Sequence, residues 1–113
     1  MSGWMDTTAI SVLEKGLDAS SLRQKVLADN VANVDTPGFK RSDVDFEAIL
    51  KTAVGEDSSA AVVKDESSSM RADGNNVDID REMANVAENE LYYEGVTQAL
   101  SSQLEILRMV IRG

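Results

Sequence analysis

Asp73, Asn75, Asp78 and Asp80 place four oxygen-bearing side chains within eight residues, the composition of a hard-cation loop. The spacing fails as such a loop. Its sixth position, which needs glycine for a sharp turn, is Asp78, and its twelfth, which needs a bidentate glutamate, is Ala84. These acids read instead as the start of a helix, where carboxylates cap open amides. The 113 residues include no histidine and no cysteine, which removes an imidazole base, a thiolate nucleophile and the ordinary zinc, haem and iron-sulfur ligand sets. Serines, lysines and carboxylates remain, without a pocket-forming core to assemble them. We expect no enzyme, no cofactor and no metal site.

The bulk charge narrows the partners. Twenty acids against eleven bases give −9, so phosphate backbones and anionic lipid would repel the molecule as a whole. No run of 18 apolar residues offers a membrane span, and the stretch from Met1 to Ser11 lacks the basic-then-apolar order of a cleavable signal. With 42% apolar residues but only five aromatics, any core must use Leu, Ile, Val, Met and Ala, which suits long helices.

Apolar spacing supplies two such helices. Ile10, Leu13, Leu17, Ser20, Gln24, Leu27, Val31 and Val34 alternate in steps of three and four, as do Ile79, Met83, Val86, Glu90, Tyr93, Thr97, Leu100, Leu104, Leu107 and Ile111. The pattern predicts helices over 8–35 and 78–112, roughly 37 and 47 Å long along their seams at 1.5 Å per residue. Asp78 and Asp80 are cap candidates for the second, and Arg108 and Arg112 suit its carboxyl end. Pairing the seams antiparallel, with Ile10 beside Ile111, would set Leu17 against Leu104 and Gln24 against Thr97. That leaves Val12, Leu22, Val26, Leu91, Tyr92, Val96, Ile106 and Val110 facing outward, and Gly16 and Gly95 each weaken a helix by about 1 kcal/mol. A lone hairpin is therefore marginal, and the seams call for neighbouring copies or a helical partner.

Between the arms, Pro37 drives Thr36 out of the helical region and Gly38 takes positive φ, so Thr36–Phe39 fits a type II turn. Asp43 to Ala53 holds Phe46, Ile49 and Leu50 behind two Asp cap candidates, enough for a short helix within 36–54. Residues 55–77, rich in serine and acids, read as a flexible connector. The expected fold is all-α: one elongated unit, an antiparallel coiled-coil-like pair joined by a turn, a short helix and an acidic loop.

The string Leu27-Ala28-Asp29-Asn30-Val31-Ala32-Asn33-Val34-Asp35-Thr36-Pro37-Gly38-Phe39-Lys40-Arg41 resembles the signature of the bacterial flagellar axial proteins, the rod and hook family. Asn30, Asn33, Thr36, Pro37, Gly38 and Phe39 carry the likeness. On their own chemistry, Asn30 and Asn33 lie three apart on one helix face, placed either to cap local carbonyls or to touch a neighbouring subunit. Asp73-Gly74-Asn75-Asn76-Val77-Asp78-Ile79-Asp80-Arg81-Glu82, and the ending from Leu91 to Gly113, resemble the proximal rod members of that family. Another rod protein shares the first signature, but its carboxyl region differs from this pattern. The short serine-rich middle departs from the family.

The resemblance implies a structural subunit of the basal-body rod. It would be exported from the cytoplasm by the flagellar type III apparatus without signal cleavage and assembled helically in the periplasmic space to carry torque. Its partners would be itself, other rod proteins, the adaptor between membrane ring and rod, and the export apparatus. The assembly seam would comprise Ile10, Leu13, Leu17, Leu27, Val31, Val34, Met83, Val86, Tyr93, Leu100, Leu104, Leu107 and Ile111. Phe46 and Leu50 resemble the aromatic-x-x-x-hydrophobic element that engages the export gate, although an ordinary amphipathic turn has the same pattern. A secreted helical hairpin with a Trp-x-Gly turn fits the size, but the sole tryptophan, Trp4, lies at the amino end rather than between the arms.

Overall fold

The computed structural model describes residues 7–52, 62–67 and 71–113. Helix α1 runs Thr7–Ala32, strand β1 Ser42–Val44, helix α2 Phe46–Lys51, strand β2 Val62–Lys64 and helix α3 Ile79–Arg112. The molecule measures 64 × 27 × 15 Å with a radius of gyration of 17.9 Å. A compact chain of about 100 residues would have a radius near 13 Å, so this is an elongated rod.

α1 and α3 lie antiparallel, but not in the register that their apolar seams suggest. Ser20 Oγ donates to Asn89 Oδ1 at 3.0 Å, Asn89 Nδ2 donates to Gln24 Oε1 at 3.1 Å, and Asn30 Nδ2 donates to Glu82 Oε1 at 3.2 Å. Facing positions therefore add to about 110, not 121, a slip of roughly ten residues. Leu17 does not face Leu104, and Gln24 meets Asn89 rather than Thr97. The cause is physical: Ser20, Asn30, Glu82 and Asn89 are buried and need partners, which this register supplies, whereas apolar contacts tolerate sliding. Slippage also turns α3, so Tyr92 and Val96, expected to face outward, approach Gly16. A Cβ there would lie 3.0 Å from the Tyr92 hydroxyl and 3.6 Å from Val96, so glycine permits the close crossing. Of the seam, Leu27 is fully buried, while Met83, Tyr93, Leu104 and Ile111 are exposed.

α1 ends at Ala32, with turns carrying the chain through Asp35, because Asn33 and Val34 make single-turn bonds to Asn30 and Val31 carbonyls. Gly38 has φ of 76° and Phe39 N–H donates to the Thr36 carbonyl at 3.2 Å, the geometry of the type II turn. α2 starts later than Asp43 because Ser42–Val44 pairs antiparallel with Val62–Lys64, Asp43 opposite Val63. Asp45 caps it, accepting from Ala48 N–H at 3.1 Å.

Residues 55–77 are not wholly a flexible connector. The β2 strand, the 65–67 segment and the 71–77 segment are bonded into the fold, and Asn75 and Val77 are buried. Ala53 to Ala61 and Ser68 to Met70 lie outside the described residues. α3 begins where Asp78 accepts from Asp80 and Arg81 N–H. No helix among the described residues is long and apolar enough to cross a membrane.

Candidate functional site

Two regions of the rod differ in chemistry, a polar junction at one end and a bare apolar stripe along the other. The junction begins with the residues of the signature. Asn33 caps locally: its amide donates to the Asp29 carbonyl at 2.8 Å and its Oδ1 accepts from Thr36 Oγ1 at 3.0 Å. Asn30, fully buried, acts over a longer range. It accepts from Ser42 N–H at 3.0 Å and donates to Ser42 O at 2.8 Å, presenting to β1 the same donor-acceptor pair that a neighbouring strand would.

The Asp73–Val77 stretch docks on this turn. Asn75 Nδ2 lies 2.8 Å from the Asn33 carbonyl, 3.1 Å from that of Val34 and 2.8 Å from that of Thr36, which satisfies carbonyls left open at the end of α1. Gly38 N–H donates to Asp73 O at 2.7 Å, and Asn76 Oδ1 accepts from Arg41 N–H at 2.8 Å. Three of the four oxygen-bearing residues of the failed cation loop, Asp73, Asn75 and Asp78, are employed in turns and caps, with Asp73 also paired to Arg71 at 3.3 Å, and Asp80 is an exposed acid in the first turn of α3.

Behind them lies a charge network that the hydrophobic pattern does not announce. Glu82 is fully buried and meets Arg41, itself buried, at 2.9 Å. Arg41 also reaches Asp43 at 3.3 Å and Asp65 at 3.6 Å, while Arg23 joins Asp43 and Glu88, each at 2.9 Å. Hydrogen bonds to Glu82 raise the Arg41 guanidinium above its ordinary value despite burial. For Asp43, burial acts to raise the carboxyl, but the bond from Arg23, with the Val44 N–H, outweighs it and holds the group below its usual range. Asp65 is lowered by the Ser67 hydroxyl and amide. These charges are fixed in pairs, an arrangement suited to holding chain segments together rather than moving protons. Arg41 and Glu82 both fall inside the two signature strings, which was the signal available in the sequence.

The second region is the solvent side of α3. Toward α1 the helix presents Glu82, Asn89, Tyr92, Val96 and Leu100; along one edge of that face Tyr93, Leu104 and Ile111 are left 46% to 76% exposed, and further round the helix Met83, Leu91 and Met109 are exposed as well. Ile10, Leu13, Leu17, Val31, Val34, Val86, Leu100 and Leu107 are half-buried. Phe46 packs edge-on against Tyr92 with ring centroids 5.0 Å apart, and Leu50, one turn further on in α2, is half-buried. An open groove of about 410 Å³ runs between α1 and α3 at Gln24, Tyr93 and Glu94.

The comparisons with known proteins converge on one class. The family described as flagella basal body rod protein matches residues 10–40, which covers nearly all of α1 and the type II turn. FlgB of Borrelia hermsii is 36% identical over 129 aligned positions that take in 92% of this chain and 96% of that protein. FlgB of Escherichia coli K12 is 31% identical, covering 92% and 93%, and FlgB of Bacillus subtilis 29% identical over the same shares. Each alignment is longer than the 113 residues here, so these relatives carry residues that this chain lacks. With both arms and the junction between them inside the match, the chain belongs to the flagellar basal body rod protein family, as a FlgB-like member.

Proposed function

We propose that the chain is a structural subunit of the proximal rod, built into a helical assembly through the apolar face of α3 and transmitting rotation by rigid packing. The carrying observation is the stripe of Met83, Tyr93, Leu104 and Ile111, which the monomer leaves exposed although its residue types belong in a core. Ile10, Leu13, Leu17 and the remaining seam residues form the crossing that supports this stripe. Further copies, other rod proteins and the adaptor at the membrane ring are the partners that would cover it. The subunit reaches the periplasmic space through the flagellar type III export apparatus. Phe46 and Leu50 are the proposed gate element, and because Phe46 is engaged with Tyr92 after folding, the gate would meet it in the unfolded chain.

Leu104→Asp tests the reading, since it puts a charge in the exposed stripe without touching the polar junction. Secreted chain should persist while isolated basal bodies lose their rods; normal swimming by this variant would overturn the proposal.

A further inference from the structure

The outer face of α3 carries its charges in a repeat. Glu90 and Glu94 stand four residues apart, and Arg108 and Arg112 stand four apart eighteen residues later. Eighteen residues are five whole turns at 3.6 per turn, so both pairs project from one side of the helix. The same interval separates Val86 from Leu104 and Tyr93 from Ile111. α3 therefore displays one surface twice, first with carboxylates and then with guanidiniums, each beside an apolar pair. Glu90, Glu94 and Arg112 have no ion-pair partner among the described residues, and Arg108 meets only Glu105 at 3.5 Å on the exposed surface. The groove between the helices opens beside the acidic copy of this surface, at Glu90, Tyr93 and Glu94.

We propose that the carboxyl end of α3 in one molecule seats on the middle of α3 in a second copy, the two helices parallel and offset by eighteen residues. Arg108 then opposes Glu90, Arg112 opposes Glu94, and Ile111 enters the groove beside Tyr93. The inference rests on the rod reading and names its partner surface. At 1.5 Å per residue the offset is about 27 Å. Two different surfaces are joined, so every added copy leaves the same two free and the series stays open. An antiparallel pair centred on Ser101 would match the same charges, but it sets Ile111 against Leu91, leaves the groove empty and closes at two molecules.

The chain has no cysteine, so engineered thiols report without background. Chains with Ile111→Cys and Tyr93→Cys, co-expressed in cells that depend on this subunit, should give a disulfide-linked dimer in isolated basal bodies. Arg108→Glu with Arg112→Glu in the Ile111→Cys chain should lower its yield about tenfold or more through like-charge contact. Glu90→Arg with Glu94→Arg in the Tyr93→Cys chain should restore it. Arg112→Gln, which leaves helicity intact, should weaken the link without abolishing it. Self-linking of a Ser101→Cys chain in place of the mixed dimer, or indifference to charge reversal, overturns the offset. If either occurs while Leu104→Asp still abolishes rods, the rod reading stands and only the docking geometry is wrong. Absence of the chain from basal bodies overturns both.

Discussion

Arg41 shows how one side chain can hold a long molecule together. It touches Glu82 at the start of α3, Asp43 on β1 and Asp65 just past β2, while its own N–H donates to Asn76. The start of α3, β1 and the segment after β2 are thus tied to a single guanidinium. Arg41→Met strands the buried Glu82 carboxylate, with Asn30 as its remaining neighbour, and should cost about 3–5 kcal/mol. Urea denaturation measures the loss as a fall in midpoint at unchanged slope. Arg41→Met combined with Glu82→Leu removes both charges and should recover more than half of that loss; no recovery would mean that Arg41 acts chiefly through Asp43 and Asp65. The pair could not be read from periodicity, because Glu82 sits in the first turn of a helix, where an exposed acid is the ordinary expectation.

The two long helices were visible in the sequence because apolar residues recur at three and four over more than twenty positions, and caps such as Asp78 mark where they start. Their register was not visible. Apolar stripes can slide past one another with similar contact, whereas Ser20, Gln24, Asn30, Glu82 and Asn89 bond only in one alignment, and no local pattern says which polar residues meet 50 or more positions apart. The strand pair escaped for a related reason: three-residue segments such as Val62–Lys64 carry too little alternation to register. The glycines separate local from tertiary demands. Nothing lies within 4 Å of a Cβ built on Gly95, so Gly95→Ala should raise stability by about 1 kcal/mol through helix propensity alone. Gly38→Val has equal space but a backbone at φ 76°, and should destabilise the turn. Thermal midpoints moving in opposite directions would confirm the distinction; parallel shifts would refute it.

At the scale of the molecule, order is distributed unevenly. Buried and multiply bonded groups gather at one end, around Leu27, Asn30, Arg41, Asn75, Val77 and Glu82, whereas α3 beyond Val96 holds no fully buried residue, and Leu100, Leu107 and Val110 there are half-buried. Amide hydrogen exchange on the isolated chain should therefore be slowest for residues 27–44 and 75–89 and fastest, within α3, beyond residue 102. Uniform protection along α3 would contradict this distribution. Assembly would then act mainly on the loosely held half, gaining most of its new contacts where the monomer has fewest. The slipped register has a last consequence. Because polar rungs clamp one extremity and greasy residues crowd the other, the subunit has a head and a foot that cannot be exchanged, and a fibre whose copies all stack foot to head acquires an arrow that thermal motion does not reverse.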